Sequence, residues 1–181
     1  MITLTLGTTP YPFGRALQWM HQLLEQEIIT EPVFVQHGST DIALLQAHER
    51  VSAAALLTAP ELNEKISQSR LVISHAGQGS TRKLAAQNKS FVILPRLAQY
   101  EEHVDDHQLR FAEGVEQLGV TVCRNFDTLK KAVVSPPEPL NRELFSGPKL
   151  GDFLAQKYAP ERVRKPVHPP VRSTLAQRYG G

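Results

Sequence analysis

"LVISHAGQGSTRKLAAQ", residues 71–87, decides the fold. Leu71, Val72 and Ile73 make a short apolar run bounded by small residues, which reads as a buried strand, and "KLAAQ" beyond it reads as helix. Between them His75, Gly77, Gln78, Gly79, Ser80 and Thr81 form a turn that precedes the helix. A helix start exposes unpaired amide donors in a positive local field, and glycine lets an anion approach the backbone without meeting a Cβ. Two readings stand side by side: glycines that only turn the chain from strand to helix, and glycines that leave room for a phosphate. The stretch is not a P-loop, because no G-K-[ST] follows, and "GQGSTR" is not the G-x-G-x-x-G of a dinucleotide fold.

The same grammar repeats outward from this stretch. "ITLTLG" reads as a strand ending at Gly7; "TTPYPFG" supplies turn chemistry, and "RALQWMHQLLEQEI" begins a helix with Leu17, Met20, Leu23 and Leu24 on one stripe. "VFVQ", "FVILP" and "VTVC" read as short strands and "DDHQLRFAEGVEQLG" as a helix. "SAAALL" is ambiguous, a possible strand before a helix at "APELNEKISQ" that Pro60 helps to start. Strands of Val, Ile and Leu alternating with helices predict an α/β fold, a Rossmann-like open parallel sheet covered on both faces. Ligands of such sheets bind beyond the carboxyl ends of the strands. Gly7, Thr8 and Thr9 form one such end and residues 75–81 another.

Composition bounds the partners. The chain has 181 residues, 41% of them hydrophobic, enough for one domain and too few for two full ones. A formal charge of +2 argues against a nucleic-acid surface, although a pI near 8.8 allows a local basic patch. Cys123 is the only cysteine, which excludes an intrachain disulfide and a cysteine zinc cluster and fits a cytoplasmic setting. "MITLTLGTTPYP" has neither a basic n-region nor an apolar h-region. No run approaches the roughly 20 apolar residues of a spanning helix. From Pro136 prolines accumulate, so a domain over 1–134 and a Pro-rich basic tail over 135–181 are expected, with one short helix at "GDFLAQKYA". In the tail Arg162, Arg164, Lys165, Arg172 and Arg178 face only Glu161. That pattern suits either a solvated terminus or a basic arm on an anionic lipid surface or a membrane-bound subunit.

"PRLAQYEEHVDDHQLRFAE", residues 95–113, is the second unusual stretch. Arg96, Glu101, Glu102, His103, Asp105, Asp106, His107 and Gln108 crowd between a strand ended by Pro95 and a helix whose apolar positions start at Leu109. Asp105 or Asp106 suits the helix cap. His103 and His107 lie four apart, but the helix starts between them and no H-E-x-x-H pattern adds a ligand, so no metal is expected. Carboxylates and an amide after a strand end suit a hydroxyl-rich ligand such as a sugar. His37 follows another strand end beside Gly38, Ser39 and Thr40. His21, His48 and His168 read as surface or packing residues, and Trp19 as core or interface.

"LTLGTTPYPFGRAL", "VFVQHGSTD", "LVISHAGQGS" and "PRLAQYEEHVDDHQLRFAE" resemble, in this order and at similar spacing, the donor-binding subunits of split glycosyltransferases related to family 28. That group includes the catalytic subunit of the dolichol-pathway UDP-N-acetylglucosamine transferase and bacterial exopolysaccharide β-1,4-glycosyltransferase subunits. The same motifs are similar to the C-terminal half of the peptidoglycan lipid-intermediate N-acetylglucosaminyltransferase. The resemblance covers residues 1 to 133. It implies the C-terminal half of a GT-B enzyme, with the acceptor-binding half on a membrane-anchored partner and the chain peripheral on the cytoplasmic face through that partner. It also implies an inverting transfer from a UDP-sugar to a lipid-linked acceptor without a cofactor or bound metal.

By the resemblance Gly7, Thr8 and Thr9 lie near the diphosphate and the acceptor. His75, Ala76, Gly77, Gln78, Gly79 and Ser80 form the diphosphate loop. Arg96 and the Glu102–Gln108 region, with His103, Asp106 and above all Gln108, recognise the donor sugar. The general base is expected from the partner or the cleft edge, with His75 a candidate by chemistry alone. One departure stands out: relatives carry a glutamate for the ribose on the helix after the glycine loop and then a "GKP" turn, where this chain has Lys83 and "NKS" at 88–90. A cation cannot accept ribose hydroxyl protons. Lys83 therefore implies another ribose contact, weakened nucleotide binding, or a subunit diverged toward a non-catalytic nucleotide-binding or scaffolding role; Arg82 or Lys83 either meets a negatively charged donor or simply faces solvent on the helix.

Overall fold

A computed structural model describes residues 1–140 and 144. Six parallel strands lie in one sheet: β1 (Ile2–Thr5), β2 (Val33–Gln36), β3 (Val51–Ala54), β4 (Leu71–His75), β5 (Phe91–Leu94) and β6 (Thr121–Val122), in the order β3-β2-β1-β4-β5-β6. The ambiguous run at 52–57 thus begins inside an edge strand. The helices are α1 (Gly14–Glu25), α2 (Ala43–Gln46), α3 (Ala59–Ser67), α4 (Gln78–Ala86), α5 (His107–Glu116) and α6 (Phe126–Val134). The order reverses between β1 and β4, which pair in register from Ile2↔Leu71 to Thr5↔Ser74. The open parallel sheet expected from the strand composition is the fold of this chain.

Period-2 alternation sorts the side chains between two cores. Ile2 and Leu4, Val33 and Val35, Leu71 and Ile73, and Val92 and Leu94 join Leu17, Met20, Leu23 and Leu24 of α1, Leu45 of α2 and Leu129, Ala132 and Val133 of α6 in one cluster. Val72, Phe91, Ile93 and Val122 join Ile66 of α3, Leu84 and Ala85 of α4, and Ala112 and Val115 of α5 in the other. Each fully buried Leu or Ile contributes about 1.5–3 kcal/mol relative to exposure, so both faces hold the central strands in place. Leu140 and Leu144 also pack on the second cluster, so the packed chain runs past the boundary expected near residue 134. The "GDFLAQKYA" segment and the basic tail lie outside the described residues.

On the face where Ile2 and Leu4 do not point, β1 carries Thr3 and Thr5, both buried. Their hydroxyls are spent locally. Thr3 Oγ1 accepts from Ser69 Oγ at 2.8 Å, and Thr5 Oγ1 donates to Gln36 Oε1 at 2.8 Å. α3 starts as its sequence predicts, with Thr58 and Glu61 closing a capping box and Pro60 in the first turn. Among the described residues no helix is long and apolar enough to cross a membrane.

Candidate functional site

Because β1 and β4 are neighbours, their two glycine turns meet at the switch point of the sheet, where open α/β folds bind their ligands. Gly7 and Gly38 take positive φ, 78° and 60°, and an added Cβ at Gly38 would stand 2.4 Å from the Gly7 carbonyl oxygen. Gln36, at the end of β2, fixes this crossing: its Nε2 donates to the carbonyls of Gly7 and Ala55, and its Oε1 accepts from the Gly7 amide and Thr5. Thr40 Oγ1 accepts from the Phe13 amide at 3.0 Å, and Ser39 Oγ donates to the Thr9 carbonyl at 2.9 Å. Thr8 is exposed and Thr9 half-buried on the same loop.

His75 ends β4 with its ring between the two turns. A Cβ on Gly7 would lie 2.8 Å from the imidazole, and one on Gly77 2.4 Å from it. These two glycines are therefore bare because a ring fills the space. The imidazole lies 3.4 Å from the Thr5 carbonyl through Nδ1. Desolvation pushes its pKa down to about 4, the Thr5 carbonyl working against the shift and the Arg96 charge adding to it. At neutral pH the ring is uncharged and turned toward the β1 loop, a position that braces both turns.

The sign of the linkage follows. Unfolded chain takes up this proton near pH 6.5 and folded chain near pH 4, so the contribution to stability is complete above pH 6.5 and is lost as pH falls toward 4. Wild type should therefore lose urea midpoint between pH 6.5 and 4 faster than His75→Gln, measured side by side to cancel the carboxylates. Parallel curves for the two proteins would reject the desolvated, neutral imidazole.

α4 begins at Gln78, earlier than its sequence suggests, so Gln78, Gly79 and Ser80 form its first turn instead of preceding it. Gly77 is the N-cap and offers no side chain to the turn, and the Thr81 amide is the first returned to a helical carbonyl, that of Gly77 at 2.9 Å. The first-turn amides of an α-helix have no intrahelical acceptor. Gly79 faces open space, with nothing within 4 Å of an added Cβ. Unlike Gly7 and Gly77, its bareness fills no packing need.

The segment after β5 closes the edge. Arg96 is 1% exposed. Its Nη2 donates to the Leu6 carbonyl at 2.7 Å, and its Nη1 to the carbonyls of Tyr11 at 2.8 Å and Glu102 at 3.1 Å. The guanidinium lies over the Phe13 ring, and burial lowers its pKa to about 10, which leaves it charged at neutral pH. Glu102, 2% exposed, takes a two-pronged pair from Arg15 at 3.0 and 2.7 Å and the Leu97 amide at 3.0 Å. Arg15 also donates to the Pro95 carbonyl at 2.8 Å. Glu102, expected among the substrate contacts, spends both carboxylate oxygens on the protein. Arg96, also expected there, spends both terminal nitrogens on main-chain carbonyls while its buried Nε has no partner among the described residues, and the two side chains hold the loops in place.

Gln108 is buried and accepts the Arg96 amide through Oε1 at 3.3 Å, so its NH2 end is the one with donors to spare. Asp106 sits at the N-cap of α5 but accepts from the Ala98 amide at 2.9 Å, while Asp105 Oδ1 takes the His107 amide at 3.0 Å. His103 stands against the Tyr11 ring, its pKa lowered first by burial and then by His107, against the pull of Asp105. Cys123 is buried and its thiol is pushed up to about 12, which removes it as a nucleophile. Lys83 lies in α4 within the residues that follow the glycine turn.

The structure thus gathers the loops bearing Gly7–Thr9, His75–Ser80 and Arg96–Gln108 on one edge, as the sequence motifs suggest. Sequence reading missed Gln36 and Arg15. Their signals were a polar residue closing an otherwise apolar strand, and a lone arginine among apolar and aromatic neighbours at the start of a helix.

A doubly wound parallel sheet with glycine turns side by side at its switch point defines a Rossmann-like α/β domain. Residues 1–135 match the glycosyltransferase family 28 C-terminal domain, and the chain belongs to that family. No curated protein matches it. Among solved structures the chain is similar to the crystal structure of Acinetobacter baumannii MurG, at 19% identity and a TM-score of 0.47 over 73% of this chain. It spans 44% of that structure's length.

Proposed function

We propose that the chain is the donor-binding subunit of an inverting glycosyltransferase. It transfers a sugar of the GlcNAc, Glc or GlcA type from a UDP-sugar to a lipid-linked acceptor in polysaccharide biosynthesis. Catalysis requires a membrane-anchored partner that carries the acceptor-binding half, and the pair works on the cytoplasmic face of the membrane. Family membership supports the reaction class. The observation that carries the donor site is the uncapped first turn of α4 beside the β1 turn, with Gly79 open to solvent.

In this reading the amides of Gln78, Gly79 and Ser80 receive the diphosphate, and Thr8 and Thr9 border it from the neighbouring loop. As the sugar–phosphate bond breaks, charge grows on the leaving diphosphate, and fixed amide dipoles stabilise it without reorganisation. Gln108 reaches donor hydroxyls with its NH2 group, helped by His103 and Asp106. His75, enclosed between the turns, shapes the diphosphate seat, and the base that deprotonates the acceptor comes from the partner or the cleft rim.

Gly79→Glu separates this from glycines that only turn the chain. Gly79 is the second residue of α4, where a carboxylate suits the helix dipole and any residue improves on glycine. The melting temperature should hold or rise. UDP affinity by calorimetry should fall at least tenfold, through blocked approach and like charge, and Gly79→Ala should lie between. Unchanged UDP affinity in Gly79→Glu would refute the diphosphate seat.

A non-catalytic nucleotide-binding or scaffolding subunit is the second reading, favoured by Lys83 where relatives place a carboxylate. Mixing the chain with its membrane partner, a lipid acceptor and a panel of UDP-sugars distinguishes them. Turnover by the pair and by neither alone supports the first; assembly without turnover on any donor supports the second. A donor with a uronic acid should lose more affinity than UDP-glucose in Lys83→Glu if Lys83 meets its carboxylate.

A further inference from the structure

We infer that His103, Asp105 and His107 form a site for a divalent transition-metal ion of the zinc class. One ring nitrogen from each histidine and one carboxylate oxygen lie within 4.8 Å of one another. His103 Nδ1 is 3.5 Å from Asp105 Oδ1, and His107 Nδ1 is 2.5 Å from the same oxygen. Zinc bonds of 2.0–2.2 Å place tetrahedral ligand atoms about 3.4 Å apart. The first separation already has that value. The second must open by about 1 Å; both its side chains are 56% exposed, and the His107 ring can turn while Asp105 Oδ1 keeps the His107 amide.

His103 is the anchored member of the set. Its side chain is 15% exposed, its ring packs 5.6 Å from that of Tyr11, and its Nδ1 is buried without a hydrogen-bond partner. A buried nitrogen with no partner is costly unless something occupies it. The His107 ring stands edge-on to it at 4.3 Å, so both imidazoles border one small volume. Two imidazoles and a carboxylate select zinc, nickel or cobalt over magnesium or calcium, which prefer all-oxygen sets. The buried Arg96 charge bears on His103 and opposes a cation there, Asp105 supplies the negative charge of the set itself, and Glu101 and Asp106 adjoin it in sequence as further acids.

The sequence spacing of four between the histidines offered no third ligand; the bend before α5 brings Asp105 between them. Three protein ligands leave the remaining coordination positions open to water or to a ligand oxygen, on the edge of the sheet that carries the glycine turns.

Zinc chloride titrated calorimetrically into the full 181-residue chain, free of any affinity tag and of nucleotide, tests the site apart from the donor reading. One ion per chain is expected. Cobalt in its place should give the visible bands of a four- or five-coordinate ion, and a large excess of magnesium should not displace either. His107→Ala and Asp105→Asn, both at exposed positions, should each weaken binding at least tenfold while the far-UV spectrum is unchanged; His103→Ala should do the same. His48→Ala should bind as wild type does. Zinc binding by wild type no tighter than by His107→Ala and Asp105→Asn would overturn the site, as would loss of binding in His48→Ala alone.

Discussion

Gly38→Ala is expected to lower the unfolding free energy by about 3 kcal/mol, although it adds a single methyl group. Roughly 1–2 kcal/mol comes from holding an L-residue in the left-handed region, since Gly38 has φ of +60°. Overpacking adds about 1–3 kcal/mol where neighbours must shift. Here the obstacle is backbone: the new Cβ would lie 2.4 Å from the Gly7 carbonyl oxygen. That carbonyl accepts from Gln36 Nε2 at 3.0 Å while the Gly7 amide donates to Gln36 Oε1 at 3.1 Å. Gly7 can therefore retreat only by breaking bonds that satisfy a buried glutamine. Urea denaturation at neutral pH checks this, with Gly114→Ala as reference. Gly114 lies inside α5 with nothing within 4 Å of an added Cβ, and alanine there should stabilise by up to about 1 kcal/mol. A cost below a few tenths of a kcal/mol for Gly38→Ala would mean that the two turns do not cross as described.

The contrast among the glycines explains what the sequence could reveal. "SHAGQGS" announces a turn with small residues, and strand composition on either side announces the parallel sheet around it. Letters alone do not say that Gly7 and Gly77 make room for the His75 ring whereas Gly79 faces open space. That distinction arises only when β1 and β4 are set side by side, a contact between residues about seventy positions apart in sequence. Local periodicity sees strands and helices because side-chain spacing is a local property. Which loop packs on which is not local.

The crowded stretch 95–108 shows the same limit from the side of charge. Its residue types suggested a polar ligand, and their crowding after a strand end suggested the place. Burial divides them afterwards. Arg96 and Glu102 lie inside, while Asp105 and His107 stay exposed. An arginine written beside a leucine in sequence gives no hint that three main-chain carbonyls await it, because those carbonyls belong to Leu6, Tyr11 and Glu102.

Arg96→Lys should consequently destabilise the protein by about 3 kcal/mol, as loss of buried charge-assisted partners does, and weaken UDP binding in parallel. The substitution keeps the charge and loses the planar fork. A guanidinium spans the Leu6 carbonyl on one nitrogen and the Tyr11 and Glu102 carbonyls on the other, and it stacks on Phe13 at 4.6 Å. An ammonium on a flexible stem offers neither the spread nor the flat face. The Leu6 and Tyr11 carbonyls left short of a donor sit just after β1 and in the loop leading to α1, on the segment that holds Gly7, and the Glu102 carbonyl sits in the segment after β5, so disorder there reaches the proposed diphosphate seat. If Arg96 acted by touching the donor, the lysine variant would keep its urea midpoint and lose affinity alone. If it acts by holding the β1 loop, stability and affinity fall together, and lower temperature, which repopulates the ordered loop, restores part of the affinity. Measuring both quantities on one preparation decides between a residue that reads the substrate and one that builds the surface the substrate meets.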